Sequence, residues 1–217
     1  MQSLNTLIKT MLPDAQVSVQ ALPQCPAISL YLVDPITMTR PFTMDEIRSI
    51  WENTAYWAFC WASGQVLAKY ILDNPHIVQG KTILDFGAGS GVVAIAAMKA
   101  GAKKVIACDI DQDALISCVE NAKLNQVELE ISEDLFAISD TDIDLLIAAD
   151  VLYDRENLSF LDTFFNYAPH VLLADSRIKN FRHSCYQHLN KIESFTVPDL
   201  DELDEFRYVN LYTGQRT

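Results

Sequence analysis

No apolar run in this chain approaches the ~18 residues that a membrane-spanning helix needs. The amino terminus, Met1-Gln2-Ser3-Leu4-Asn5, has neither the basic nor the apolar region of a secretory signal. Basic residues are few: 16 Lys and Arg stand against 29 Asp and Glu, a formal net charge of −13. Proteins that grip phosphates need a basic face, so the balance argues against a nucleic-acid partner. It suits a cationic or basic substrate surface. The five cysteines, Cys25, Cys60, Cys108, Cys118 and Cys185, are odd in number and contain no C-x-x-C. That speaks against a disulfide framework and for a reduced, cytoplasmic protein. His183, Cys185 and His188 match no zinc spacing and would not share one face of a helix, so no metal is expected. Internal repeats and low-complexity segments are absent.

What is present is a globular chain of 217 residues, 50% hydrophobic and 21% charged. The length suits one domain with a small extension. The texture changes near residue 75, which divides an N-terminal lid or extension, 1–75, from a main domain, 76–217. In the first part, Ile28 to Val33 reads as a strand ended by Asp34-Pro35. Thr43 and Glu46 form a capping box. Ala55 to Leu72 reads mostly as a helix, stopped by Asp73-Asn74-Pro75.

Strands and helices then alternate. Strands are expected at Thr82–Phe86, Val105–Asp109, Val127–Ile131, Ile143–Ala149 and Val171–Asp175. Helices are expected at about 90–100, 111–124, 155–167 and 180–190. Two late strands, Ile192–Val197 and Phe206–Tyr212, flank an acidic loop from Pro198 to Glu202. This order predicts an α/β fold with a mainly parallel, doubly wound sheet. Ligands of such sheets bind beyond the carboxyl ends of the strands, where Asp85–Gly91, Asp109, Asp134 and Asp150 all fall.

The most specific stretch is Asp85-Phe86-Gly87-Ala88-Gly89-Ser90-Gly91. Three glycines at alternate positions, between a strand and a helix, let a loop fold tightly against a ligand. The pattern is neither G-x-G-x-x-G nor a P-loop. Asp109 follows Gly91 by 18 residues, at the end of the next strand. An acidic residue there is placed to accept hydrogen bonds from ribose hydroxyls. The alternative is a plain structural turn, with Asp109 as a helix cap. Asp134 could accept from an adenine amino group with Leu135 or Phe136 against the ring, or could simply cap a helix.

The D-x-G-x-G-x-G form resembles motif I of the class I S-adenosylmethionine (SAM) methyltransferases. Asp150-Val151-Leu152-Tyr153, a D-x-x-Y after the fourth strand, resembles the signature of methyltransferase family 16, the seven-strand protein lysine methyltransferases. Nucleic-acid amino methyltransferases carry an Asn-Pro-Pro-Tyr-like motif there, which is absent here. From Trp57 to Phe181 the chain is similar to the electron-transfer-flavoprotein β-subunit branch of that family, including the Leu72-Asp73-Asn74-Pro75 ending and Val171 to Asp175. It departs at Ala62-Ser63-Gly64, where that branch has Pro-Gly-Gly.

The resemblance implies a seven-stranded, Rossmann-like methyltransferase sheet under an N-terminal lid, closed by a final hairpin, with SAM as cofactor. Gly87, Gly89 and Gly91 would admit its methionine moiety, with Trp61 nearby and Asp85 fixing the loop or the amino group. Asp109 and Ile110 would hold the ribose side, and Asp134 and Leu135 the adenine. Asp150 and Tyr153 would be the catalytic pair. Asp150 would orient the incoming amine, and Tyr153, with Trp57 as a further candidate, would form an aromatic wall for the cation. The implied partner is a protein lysine, on an electron-transfer flavoprotein β subunit or a related protein. Alternatives are a small-molecule N-methyltransferase acting on a nicotinamide-like amine, and a SAM-binding module without catalysis. The sequence assigns no oligomeric state.

Overall fold

A computed structural model describes residues 1–138, 142–152, 155–178, 181–199 and 207–216. Its centre is a seven-stranded sheet. In chain order the strands are β3 (Thr82–Phe86), β4 (Lys104–Cys108), β5 (Glu130–Ser132), β6 (Leu145–Ala149), β7 (His170–Asp175), β8 (Tyr186–Glu193) and β9 (Tyr208–Gln215). They lie in the order β5-β4-β3-β6-β7-β9-β8. The first five are parallel, and β9 runs antiparallel between β7 and β8. This is the seven-stranded arrangement expected from the sequence, closed by the expected hairpin.

Burial explains the apolar runs. Ile83, Leu84, Leu146, Ile147 and Ala148 have no exposed surface, because helices cover both faces of the central strands. On one face lie α3 (Ala62–Asp73), α4 (Val92–Lys99) and α5 (Gln112–Leu124). Val92 to Ala97 of α4 are all buried, as a helix wedged between sheet and neighbours must be. The chain order reverses between β3 and β6. That leaves a crevice at their carboxyl ends, the usual ligand position in such sheets.

The extension is a packed layer rather than a loose flap. It contains α1 (Gln2–Leu7), a hairpin of β1 (Val17–Leu22) and β2 (Cys25–Val33), and α2 (Met44–Glu52). Asn121 and Asn125 of α5 stitch β2 down: Tyr31 N–H donates to Asn121 Oδ1 at 2.7 Å, and Asn125 Nδ2 donates to Ser29 O at 2.6 Å. Trp57 is buried with Leu4, Ile8 and Phe59 in the extension's own core, against Ala114 of α5. The α3 helix, counted with the extension in the sequence division at 75, packs on α4 and on β7 and β9. Among the described residues no helix is long and apolar enough to cross a membrane.

Several boundaries differ from the expectation. Residues 56–58 form a 3-10 turn, and the long helix starts only at Ala62. The 155–167 helix is instead a 3-10 turn, a single α turn, α6 (Phe160–Thr163), and another 3-10 turn. Phe160 and Phe164 set this path by packing on Phe86 at ring distances of 4.9 and 5.0 Å. The helix expected at 180–190 is not formed; β8 occupies its second half. Pairing with β9 and the stacking of Tyr186 on Phe165 and Phe181 prevail over local propensity. The strand expected at Ile192–Val197 is displaced accordingly. Residues 200–202 of the acidic loop lie outside the described residues.

Candidate active site

The glycine loop leaves β3 at the reversal point. Gly87, Gly89 and Gly91 all take left-handed backbone, φ 69, 52 and 78°, where a side chain is strained. Space adds a second reason at two of them. A Cβ on Gly87 would stand 2.7 Å from Val151 Cγ1, and one on Gly91 would stand 3.2 Å from the Cys118 backbone. A Cβ on Gly89 would meet only Gly87 O, at 4.0 Å, so that position is not crowded. The chain itself holds the loop. Gly87 N–H and Ala88 N–H both donate to Cys108 O, at 2.9 and 3.1 Å. Gly89 N–H donates to Asp109 Oδ2 at 2.9 Å.

Asp109 thus ties the end of β4 to the loop while its other oxygen accepts Asp111 N–H at 3.0 Å. A carboxylate has about four acceptor sites, so capacity is left for a ligand. Burial raises the Asp109 carboxyl above its usual range, against the backbone N–H groups of Asp111, Gly89 and Ile110. Asp85 is 2% exposed, and its Oδ2 accepts Ala94 N–H at 2.9 Å, fixing the first turn of α4. Burial pushes its carboxyl up to about 8, opposed by the Ala94 N–H and aided by the nearby Asp109 charge. Asp85, Gly87, Gly89, Ser90 and Trp61 line one crevice with Gly64 and Ala149. Trp61 is the N-cap of α3, its indole Nε1 donating to Tyr56 O at 3.1 Å.

The other expected residues divide. Ile110 is 90% exposed beside Asp109. Asp134 caps a 3-10 turn, its Oδ1 accepting Phe136 N–H at 2.8 Å. Leu135 is 4% exposed and packs into the core with Leu84, Ile106 and Ile143, so it does not offer its side chain to a ring. Phe136 is 70% exposed. Trp57 is 1% exposed and cannot form the aromatic wall. Tyr153 lies outside the described residues. His183 faces Asp162 and His188 faces Asn210, and among the described residues no three His, Cys, Asp or Glu side chains could hold a metal.

Asp150 carries the most contacts. Among the described residues it is one of two non-glycine residues with positive φ, 53°, an uncommon state that asks for a local reason. Its N–H donates to Ala174 O at 3.0 Å. Its Oδ1 accepts Ser63 Oγ at 2.6 Å, Ser176 Oγ at 2.8 Å and Ser176 N–H at 3.0 Å, and its Oδ2 accepts Ser63 N–H at 3.1 Å. The carboxylate therefore clamps the start of α3 to the ends of β6 and β7. Oδ2 keeps one acceptor site. Asp175 lies behind it, fully buried, with Oδ1 accepting from Arg177 and Ile178 N–H and Oδ2 without a partner among the described residues. Burial, then the Asp150 charge, pushes the Asp175 carboxyl up to about 6.

Ser63, Ser176 and Asp175 were not singled out in the sequence as site residues. Ser63 had a signal: it stands where the resembling branch has glycine. Ser176 and Asp175 follow the last parallel strand, the end at which ligand residues gather.

The family described as ribosomal protein L11 methyltransferase (PrmA) matches residues 66–154. The electron transfer flavoprotein beta subunit lysine methyltransferase of Rattus norvegicus is 33% identical over 168 residues, 73% of this chain and 66% of that one. Its homolog in Caenorhabditis elegans is 34% identical over 223 aligned positions, 99% of this chain and 86% of that one. The chain spans slightly under two thirds of the length of the mammalian relatives it matches. Among solved structures, magnesium protoporphyrin IX methyltransferase from Synechocystis with bound SAM superposes with a TM-score of 0.54 at 17% identity, covering 71% of this chain and 79% of that one. That likeness concerns the fold.

Proposed function

We propose that this chain, which belongs to the family of the electron transfer flavoprotein beta subunit lysine methyltransferases, transfers a methyl group from SAM to a lysine of a protein acceptor. The acceptor proposed is an electron transfer flavoprotein β subunit or a protein close to it. The observation that carries the reading is the Asp150 clamp beside the glycine crevice. Among the described residues it is a carboxylate fixed by four hydrogen bonds with one acceptor site of Oδ2 open.

The crevice fits the cofactor. Gly89 is uncrowded on the crevice side and admits it, Asp85 offers a carboxyl to its amino group, and Asp109 keeps acceptor capacity for the ribose. Ile110 and Phe136 are exposed apolar side chains on the adenine side. When bound, SAM supplies a sulfonium methyl open to in-line attack by an amine lone pair.

The protein's part is positioning. A lysine amine must lose its proton, which at pH 7 costs about 4–5 kcal/mol from a reference pKa near 10.4. A neighbouring carboxylate favours the charged form. Asp150 therefore serves to orient the amine through Oδ2 rather than to act as a strong base, and the proton leaves to water. Holding the reacting atoms within ~3–3.5 Å in line provides much of the acceleration. Tyr153 is assigned to the acceptor side by its place in Asp-x-x-Tyr. A cytoplasmic location belongs to the same proposal, supported by five free cysteines.

The likeness to enzymes named for a protein acceptor favours this reading over a small amine. The test is to incubate the protein with SAM and purified flavoprotein β subunit, then map methylation by peptide mass spectrometry. Methyl-lysine on that subunit is expected. Methylation of nicotinamide instead, with the subunit untouched, would overturn the acceptor assignment.

A further inference from the structure

The α2 helix has a face that the described residues do not cover. None of its nine residues is buried, although an amphipathic helix normally turns its apolar stripe inward. Met44, Ile47 and Trp51 recur at i, i+3 and i+7, which places them on one side. They are 75, 37 and 80% exposed. The helix is nevertheless firmly seated. Thr43 and Glu46 complete the capping box, Arg40 holds Glu46 at 2.6 Å, and Ile50 packs on the extension's core from the other side. The helix is thus fixed to the body with its apolar stripe turned outward. Exposed apolar patches of this kind mark interaction sites.

The position of the stripe indicates its occupant. Four residues beyond the end of α2, Tyr56 is half exposed, and its ring lies 5.9 Å from the Trp61 ring, which lines the cofactor crevice. The stripe thus leads along the chain to the mouth of the site. Asp45 and Glu52 are exposed on one flank of the stripe, with the exposed Arg48 beside them, 3.9 Å from Asp45. The whole chain carries −13. That disfavours a second copy of like charge and favours a basic partner.

We propose that the Met44–Ile47–Trp51 face of α2 is the docking surface for the protein acceptor. It would take an apolar anchor of a basic, lysine-bearing segment while the target lysine reaches past Trp61. This rests on the reading of the chain as a protein-lysine methyltransferase. An aromatic anchor of this kind concentrates binding energy.

The test compares wild type, Trp51→Ala and Trp51→Phe with purified electron transfer flavoprotein β subunit as acceptor, and measures SAM affinity and sedimentation for each. Trp51→Ala is expected to raise KM for the subunit roughly 10- to 30-fold, with kcat and SAM affinity unchanged within about twofold. Trp51→Phe should recover most of the loss. An unchanged KM in Trp51→Ala, with wild-type transfer intact, would overturn the docking surface alone. So would a wild-type dimer that Trp51→Ala dissociates. No transfer by the wild type would instead sink the functional reading, and this proposal with it.

Discussion

Asp85 shows how a single carboxyl can be structural and poised at once. It is 2% exposed and anchors Ala94, and burial pushes it up to about 8. Between about pH 4 and 8 the folded chain holds a proton there that the unfolded chain has lost. The linkage sign is therefore negative: stability is fullest below the unfolded pKa and declines as pH rises through the folded one. Asp175, pushed up to about 6, adds the same sign over the lower part of that window. Thermal unfolding of the ligand-free protein should show a Tm that falls from pH 4 to 8. In Asp85→Asn the fall above pH 6 should be largely gone. Asp109 makes a different prediction, because its two bonds hold both the glycine loop and the start of α5. Asp109→Ala should weaken SAM binding about 10- to 100-fold by calorimetry, since it removes a ribose acceptor and loosens Gly89. Unchanged affinity would refute the assignment.

At the scale of elements, the extension and α3 act as a frame for the crevice. Trp57 closes the extension's core against α5, and the chain then runs through Cys60, which pairs with Val197 by two 2.8 Å backbone hydrogen bonds, into Trp61. Trp57→Ala should destabilise the fold by about 3–5 kcal/mol in denaturant titration, the usual range for a large buried aromatic. SAM affinity should drop with it, because Trp61 is held by a hydrogen bond to Tyr56 O in the same turn as Trp57. Elements with strong local signals were legible in the sequence. The β3 strand, the glycine loop, α4 and α5 combine apolar runs with capping or glycine punctuation, and the Thr43–Glu46 box marks the start of α2. Elements whose shape depends on distant partners were not. β8 is an edge strand exposed along most of its length, so its residues carry no clear period and only pairing with β9 defines it. The Asp150 clamp joins residues 87 and 26 positions apart. No local spacing announces it; Asp150 itself was reached from its place at a strand's carboxyl end and from the Asp-x-x-Tyr resemblance, but its serine partners were not.

For the whole molecule, the sheet reversal, the glycine loop and the serine-held carboxylate converge on one crevice at the carboxyl ends of the parallel strands. Its acidic surroundings suit a cationic acceptor, and its walls come from both the sheet domain and the packed extension. The central claim is that Asp150 acts on the acceptor and not on the cofactor. Asp150→Asn keeps the size of the side chain and an acceptor oxygen for the Ser63 and Ser176 hydroxyls, while removing the carboxylate proposed to meet the amine. The most direct measurement is SAM affinity together with single-turnover methyl transfer to the flavoprotein β subunit, in wild type and Asp150→Asn. The expected result is SAM affinity within about threefold of wild type and transfer slowed at least about 100-fold, the scale of a lost positioning contact. Transfer at the wild-type rate would contradict the account and leave Asp150 as a structural clamp only.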